Sequence, residues 1–384
     1  MDFTTPEEHV ALREAVRGIC AEYGPEYYAE KAKNREATEE VWRALGQYGF
    51  IGINIPEEYG GGGAGMEELA LVCEESAAAG TPLLLTLVSS AISAEVLAAH
   101  GTDEQKQTYL PPMAAGTDKV VFAITEPDAG SNSHKIATTA RKDGDDWLIS
   151  GSKTFISGMD EASTLLVVTR TGVDEATGKA QLSLFLVPTD APGLERTKIE
   201  MDIALPEWQY TLHFDEVRVP SSALIGAEGN GLKQVFTGLN PERITGAAIC
   251  VGVGRFALDQ ASRYGNERNV WGQPIGAHQG VAHPLAAAKI EIELAALMTQ
   301  KAASLHSAGE PAGEASNMAK YAAAEAALHA IDNTVQMHGG NGLATEYNLF
   351  PYWSMARLLR IAPINREMIL NYVGTHSLGL PKSY

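Results

Sequence analysis

Apolar residues recur at helical spacing over residues 3–23, and Thr5-Pro6-Glu7-Glu8 opens that run as a start signal: a capping hydroxyl, proline at the first helical position and acids in the first turn. A second helical pattern covers 38–48 and stops before Gly49. A turn-rich loop rich in glycine follows, ending in Gly60-Gly-Gly-Gly63. Helical patterns return over 66–79, 83–99 and 103–110, where Pro111-Pro112 reads as the stop. From 118 the period shortens. Alternating β-rich runs at 120–125, 146–156, 164–170, 181–188 and 209–217, separated by loops such as 174–178, predict mostly antiparallel strands. From Gly229 helical spacing resumes over 231–266, 278–307, 313–338 and 345–374, which predicts an antiparallel four-helix bundle. The pattern divides the chain into an all-α domain (1–117), a β-barrel or sheet domain (118–228) and a bundle domain (229–384), an α+β architecture. At 384 residues the chain exceeds one comfortable core, which fits that division.

Composition narrows the partners. A net charge of −19 argues against nucleic acid or an anionic membrane surface, yet a few local Arg or Lys residues can still hold an anionic cofactor. Cys20, Cys73 and Cys250 are far apart in apolar helical contexts and read as buried structural thiols. No Cys/His spacing fits zinc, so no metal is expected. The acidic N-terminus lacks a signal-peptide core, and the longest uncharged window, Ser76–Ala94, is broken by Gly80-Thr-Pro82. A cytoplasmic, reducing location is the expectation. Two glycine motifs are decoys. Gly60–Gly63 lacks the Lys-Ser/Thr of a phosphate loop, and Gly252-Val-Gly254-Arg-Phe-Ala257 lies inside a continuing helix, where small residues serve helix packing.

The candidate chemistry begins at Phe122-Ala-Ile-Thr-Glu-Pro-Asp-Ala-Gly-Ser-Asn132, a strand broken into a loop by Glu126-Pro-Asp-Ala-Gly130. A second strand, Trp147 to Ser157, follows. Strands that end in small hydroxyl residues (Thr125, Ser131, Ser157) can line a slot suited to a flat heteroaromatic ring. The pattern strongly resembles the acyl-CoA dehydrogenase family, whose flavin ring lies on such strands. The resemblance implies that Phe122, Ile124 and Phe155 also line the ring site, Phe155 standing where the family usually has an aromatic residue packed on the ring. The resemblance covers essentially the whole chain and implies FAD as cofactor, an acyl-CoA substrate and an electron-transfer flavoprotein as partner. Ser131 then serves both cofactor and substrate.

Arg268-Asn-Val-Trp-Gly272 through Gln279 resembles the family's Arg-x-x-Phe-Gly…Gln segment, with Trp271 where Phe is usual. In the family this Arg reaches the flavin pyrophosphate of a neighbouring subunit and the Gln its adenosine side; a pyrophosphate suits a planar bidentate donor. An Arg at a helix end also meets the C-terminal dipole. Gln336-Met-His-Gly339-Gly340-Asn-Gly342 resembles the second adenine-side segment, although glycines after a helix are also a plain C-cap. Asn365 stands where Thr is common near the adenine, and Asn132 where Asp is common. The resemblance implies a cofactor spanning a dimer interface, and a dimer of dimers.

The reaction so implied removes an α-proton while the β-hydrogen leaves as hydride. It needs a desolvated carboxylate and hydrogen bonds to the thioester oxygen. Where many relatives carry that Glu in the loop before the last helix, this chain has Pro363, which is no base and has no N–H; either the Ile364 N–H is the substitute donor or the loop differs by a residue. The isovaleryl-CoA dehydrogenase-like position is matched by Leu239-Asn240-Pro-Glu242-Arg243, with Glu242 as base, Arg243 tuning it and Asn240 near the substrate. Gly246, one turn on, leaves room beside the carboxylate. A Glu in a first helical turn is also favoured by capping electrostatics alone. Leu83–Val88 and Leu205–Gln209 are candidates for an acyl pocket that accepts branched groups. Two alternatives stay open: a flavin oxidase or desulfinase on the same fold, and a catalytically silent subunit of a heteromeric dehydrogenase.

Overall fold

The computed structural model describes residues 4–175 and 178–382. The first helix, α1 (Glu7–Ala21), has Pro6 at its cap, one residue later than the sequence suggests. Phe3, like Ala176 and Thr177 of the 174–178 loop, lies outside the described residues. A helix that the pattern misses follows, α2 (Gly24–Asn34), whose buried stripe is only Gly24, Tyr28, Ala29 and Ala32. Then come α3 (Glu39–Gln47) and α4 (Met66–Ala78). The 83–99 run is helical but not uniformly α: Thr86–Ser93 forms a π-helix that passes into α5 (Ala94–His100). The prolines expected to stop the next helix lie inside it, in α6 (Asp103–Ala114). They sit in its last turn, where only the carbonyls of Gln107 and Thr108 lose a donor.

Three arginines converge on two acids of α4. Arg13 and Arg17 of α1 and Arg255 from the bundle all bond Glu75, and Arg13 and Arg255 also bond Glu74. Glu75 is fully buried. Burial pushes its carboxyl up, but Arg255, Arg17 and Arg13 together hold it below its ordinary value.

The middle of the chain forms an eight-stranded sheet. Its strands are β1 (Val120–Ala123), β2 (Thr139–Asp143), β3 (Asp146–Ser157), β4 (Thr164–Val173), β5 (Ala180–Pro188), β6 (Leu194–Ile199), β7 (Gln209–Pro220) and β8 (Leu224–Ile225). They run in the order β6-β7-β3-β2-β4-β5-β8, with β1 parallel to β4. Pairing is otherwise antiparallel except for one β2–β4 partner pair. The short strands β2, β6 and β8 escape the pattern; β2 and β6 are mostly polar and half-exposed, so alternation is weak.

The C-terminal part contains α7 (Gly231–Glu267), α8 (Gln279–Ser307) and α9 (Gly313–His338). The fourth predicted helix is split into α10 (Phe350–Ile361) and α11 (Arg366–Tyr372) by Ala362-Pro363-Ile364-Asn365. The Ala362–Pro363 peptide bond is cis. Proline ends α10, and Asn365 starts α11 by accepting the Met368 N–H at 2.9 Å. The glycines of the decoy motif form a seam. A Cβ on Gly252 would lie 2.3 Å from the Glu74 carbonyl oxygen, and one on Gly254 2.0 Å from Ile292. Two apolar cores result: one includes Leu87, Ile249 and Ile331, where α4, the π-helix, α7 and α9 meet. The other joins Trp42 of α3 to Trp147 and Phe185 of the sheet. All three cysteines are buried and free. Among the described residues no helix is long and apolar enough to cross a membrane.

Candidate active site

β1 runs out into Ile124 and Thr125, and β3 ends at Ser157. The Thr154 N–H donates to the Thr125 carbonyl at 2.9 Å, so the two strand ends are tied together. The β3–β7 register slips between Lys153 and Ile156, and Phe155 inside that bulge has φ 56°. A left-handed aromatic residue is uncommon, and here it breaks the strand's alternation and turns the ring outward, 55% exposed. Phe122 lies buried beneath. Ser157 donates its hydroxyl to Gln209 Oε1 at 2.9 Å, which leaves Gln209 Nε2 buried with no acceptor. Sequence reading placed Gln209 only in an acyl-pocket segment and missed its pairing with Ser157; the signal was register, since β7 sets Gln209 directly opposite Ser157. Short hydroxyls, an orphaned amide donor and one open aromatic face suit a flat heterocycle with acceptors at its edge.

Behind this bed lies an ion pair also missed from sequence. Lys153, fully buried, donates to Glu126 Oε1 at 2.8 Å and to the Ile124 carbonyl at 3.1 Å. Glu126 also accepts the N–H groups of Ala137 (2.7 Å) and Thr138 (3.0 Å). Burial raises its carboxyl, but Lys153 and these donors hold it below the usual carboxylate range. One acid thus closes the 126–138 loop that carries Ser131. Ser131 itself is exposed and accepts from Asn365 Nδ2 at 2.9 Å, so the sheet loop meets the α10–α11 connection.

Glu242 is not in a first helical turn; α7 begins at Gly231 and runs through Pro241. The carbonyl groups around that proline are served by the Thr245 hydroxyl, which donates to Pro241 O at 2.9 Å. The helix-start explanation for Glu242 therefore fails. Its side chain is 8% exposed, and among the described residues it has no hydrogen bond or ion pair. Burial pushes the carboxyl up to about 8, against the pull of Arg243 and Lys320. Arg243 is held by Asn240, whose Oδ1 accepts from Nη1 at 2.9 Å, so part of Asn240 is committed to positioning Arg243. The room expected at Gly246 is bounded: a Cβ there would lie 3.2 Å from Leu87, 3.7 Å from Leu359 and 4.0 Å from Pro363. Of the expected acyl-pocket segments, the π-helix thus reaches the site through Leu87. The Ile364 N–H meets no acceptor among the described residues, while its carbonyl accepts from Lys320.

The remaining predicted residues form a separate cluster at one end of the bundle. Tyr264 of α7 stacks on His338 of α9 at 4.0 Å, and Asn341 Nδ2 donates to both Tyr264 and Tyr347 at 3.1 Å. This joins the 268–279 loop, whose Ile275 N–H bonds the Arg268 carbonyl, to the 336–342 segment. Arg268, Gln279, Gln336, Gly339 and Gly340 are all exposed, and Trp271 is 89% exposed at φ 54°. The Arg268 guanidinium has no partner among the described residues. The last helical turn and the glycine C-cap are real: Gly339 has φ 61°.

Comparison with known proteins agrees with this layout. Residues 6–117, 121–217 and 229–377 match the N-terminal, middle and C-terminal domains of acyl-CoA dehydrogenase. The chain is 58% identical to acyl-CoA dehydrogenase FadE12 of Mycobacterium tuberculosis, over 100% of this chain and 99% of that one. It is 35% identical to the glutaryl-CoA dehydrogenase of Desulfococcus multivorans, covering 94% and 93% of the two. The structure of butyryl-CoA dehydrogenase from Megasphaera elsdenii superposes with a TM-score of 0.92 at 26% identity, covering 98% of this chain and 100% of that one. With all three domains matched and the helices, sheet and bundle in that order, the chain belongs to the acyl-CoA dehydrogenase family and is an oxidoreductase of that type.

Proposed function

We propose that the chain catalyses FAD-dependent α,β-dehydrogenation of an acyl-CoA thioester to the trans-2-enoyl-CoA, with Glu242 as the base. The observation that carries this reading is a buried carboxyl group in mid-helix, without a hydrogen bond or ion pair among the described residues, one turn from Gly246, where a Cβ would lie 4.0 Å from Pro363. FAD, when bound, supplies the acceptor for the β-hydride. The protein's part is to bind, orient and deprotonate. Glu242 takes the α-proton; burial has raised its proton affinity toward that of the activated carbon acid. Arg243, held by Asn240, sets the carboxylate's electrostatics. The free Ile364 N–H is the donor for the thioester oxygen, replacing the N–H that Pro363 lacks. Thr125, Ser131, Phe155 and Ser157, with Gln209 behind them, make the bed for the ring. Arg268, Trp271, Gln279, Gln336, Gly339 and Gly340 serve the pyrophosphate and adenosine of a cofactor seated on a neighbouring copy, which makes the working unit a homo-oligomer, a dimer of dimers. Their exposure and the unpartnered Arg268 support that role. An electron-transfer flavoprotein is the proposed redox partner, and the walls at Leu87, Leu359 and Pro363 face an acyl group that can be branched.

The test is anaerobic titration of the yellow protein with a panel of straight and branched acyl-CoAs, wild type beside Glu242→Gln. Bleaching is expected in the wild type and at least a thousandfold slower in the variant, on the scale of about 10²–10⁴ for a lost general base. Full bleaching of the variant overturns the base assignment. Peroxide formed in air without an added acceptor would point instead to an oxidase, and protein that takes up flavin only on co-expression to a partner subunit.

A further inference from the structure

Lys320 lies on α9, inside the bundle, and is 2% exposed. Its ammonium donates to one group, the Ile364 carbonyl, at 2.5 Å. Burial pulls its proton affinity down to about 8, against the negative ends of Cys250 and Glu242. A lysine is rarely buried without a carboxylate bonded to it, and here the groups that raise its proton affinity, Cys250, Glu242 and Glu325, act through space. Apolar packing alone would be better served by methionine or leucine. The residue therefore asks for a reason tied to its charge.

Its surroundings supply one. The groups that act electrostatically on Glu242 are Arg243 on its own helix and Lys320 from α9. Arg243 in turn faces Tyr372 of α11, and Lys320 faces Cys250 of α7 and Glu325 of its own helix. The π-helix and the α10–α11 connection bring Leu87, Leu359 and Pro363, none of which titrates. Arg243 leans toward Asn240, so Lys320 is the second cation over the site. Helix α9 also holds the end of α10 just before the connection, because Glu325 accepts from Arg360 Nε at 2.7 Å. The Ile364 carbonyl is thus tied to the same helix that anchors the end of α10.

We propose that Lys320 is a positioning residue for the reaction: it fixes the Ile364 peptide against the thioester site and places a positive charge that favours the ionised form of the Glu242 base. This rests on Glu242 being the base. One ammonium then does two things at once, aligning the oxygen-binding loop and tuning the proton acceptor, from a third helix.

The test is the pH profile of flavin reduction by saturating acyl-CoA in the reconstituted holoenzyme, for wild type, Lys320→Met, Lys320→Arg and Glu242→Gln. Removing a nearby opposite charge raises a carboxylate's pKa by roughly one unit or more. The ascending limb of Lys320→Met should therefore move up by about one unit, with reduction about tenfold slower below the limb and recovering above it. Lys320→Arg keeps the charge and should keep the wild-type limb. A Lys320→Met limb unmoved from wild type overturns the proposal while leaving Glu242 as base; full reduction in Glu242→Gln overturns the base reading itself. Should Lys320→Met fail to fold, Lys320→Gln keeps a donor to Ile364 without the charge and must show the same shift. Failure of both neutral variants to fold, beside a normal Lys320→Arg, would assign the residue to packing and also overturn the proposal.

Discussion

Replacing Lys153 by methionine isolates the ion pair behind the proposed ring site. The substitution is close to isosteric, so the lost interaction is the charge. In the wild type Glu126 has three donors: Lys153 at 2.8 Å and two backbone N–H groups. Both side chains are buried, at 0% and 6% exposure. Without Lys153 the carboxylate keeps two N–H groups but loses its counter-charge in a dry site. Breaking a buried pair from one side costs about 3–5 kcal/mol, most of it the stranded charge. The pH sign follows. The wild-type Glu126 pKa is depressed, so its stabilisation is present above the unfolded value of about 4.3 and lost as pH falls through the folded one. In the variant burial dominates and raises the folded pKa, so the deficit grows as pH rises through that raised value. The assay is urea unfolding followed by circular dichroism at pH 5 and pH 8, with flavin content measured alongside. A chain of several domains is not two-state, so midpoints are compared rather than extrapolated energies. The midpoint should fall in Lys153→Met, less at pH 5 than at pH 8. It should recover in part in the double variant Glu126→Gln/Lys153→Met. Equal losses at both pH values, or no recovery in the double variant, would refute the reasoning.

Other outcomes follow from the same geometry. The wild-type rate of flavin reduction should rise with pH and level off near the raised value of about 8 at Glu242, since the base acts only when deprotonated; a flat profile from pH 6 to 9 in stopped-flow runs would contradict it. Gly246→Val pushes a side chain toward Leu87 from a Cβ already 3.2 Å away, and overpacking of this kind costs about 1–3 kcal/mol. It should shift preference to shorter acyl groups, read as kcat/KM across a chain-length series, with melting temperature as the control. Arg268→Gln removes a charge-assisted donor worth about 1.5–3 kcal/mol and should lower flavin retention on dialysis, with the fold unchanged by circular dichroism.

Long helices and central strands were legible because burial on one face leaves a strong period, as in α7 and α9, whose ends the pattern gave to within a residue. What failed did so for local reasons. The π-helix at Thr86–Ser93 has no periodic signature distinct from an α-helix in so apolar a run. Pro111 and Pro112 look like a stop because sequence does not show that they fall in a last turn. The site divides the same way. Glu242 stood out in the sequence through its chemistry and the proline at 363, but its depth inside α7 did not. Lys153 and Lys320 were invisible, and Gln209 was legible only as part of an acyl-pocket segment: each matters through a partner set by strand register or helix packing, not through a motif.

The hydrogen bond from Asn365 to Ser131 is exposed at 2.9 Å and spans two parts of the chain. Such a bond is worth about 0.5–1.5 kcal/mol net, so it is broken roughly one-tenth to one-third of the time at room temperature. It is a latch rather than a bolt. The sheet loop and the Pro363 connection can part and re-engage without any rearrangement of the domains. If the proposed thioester site lies between them, a single weak bond is all that its opening has to break.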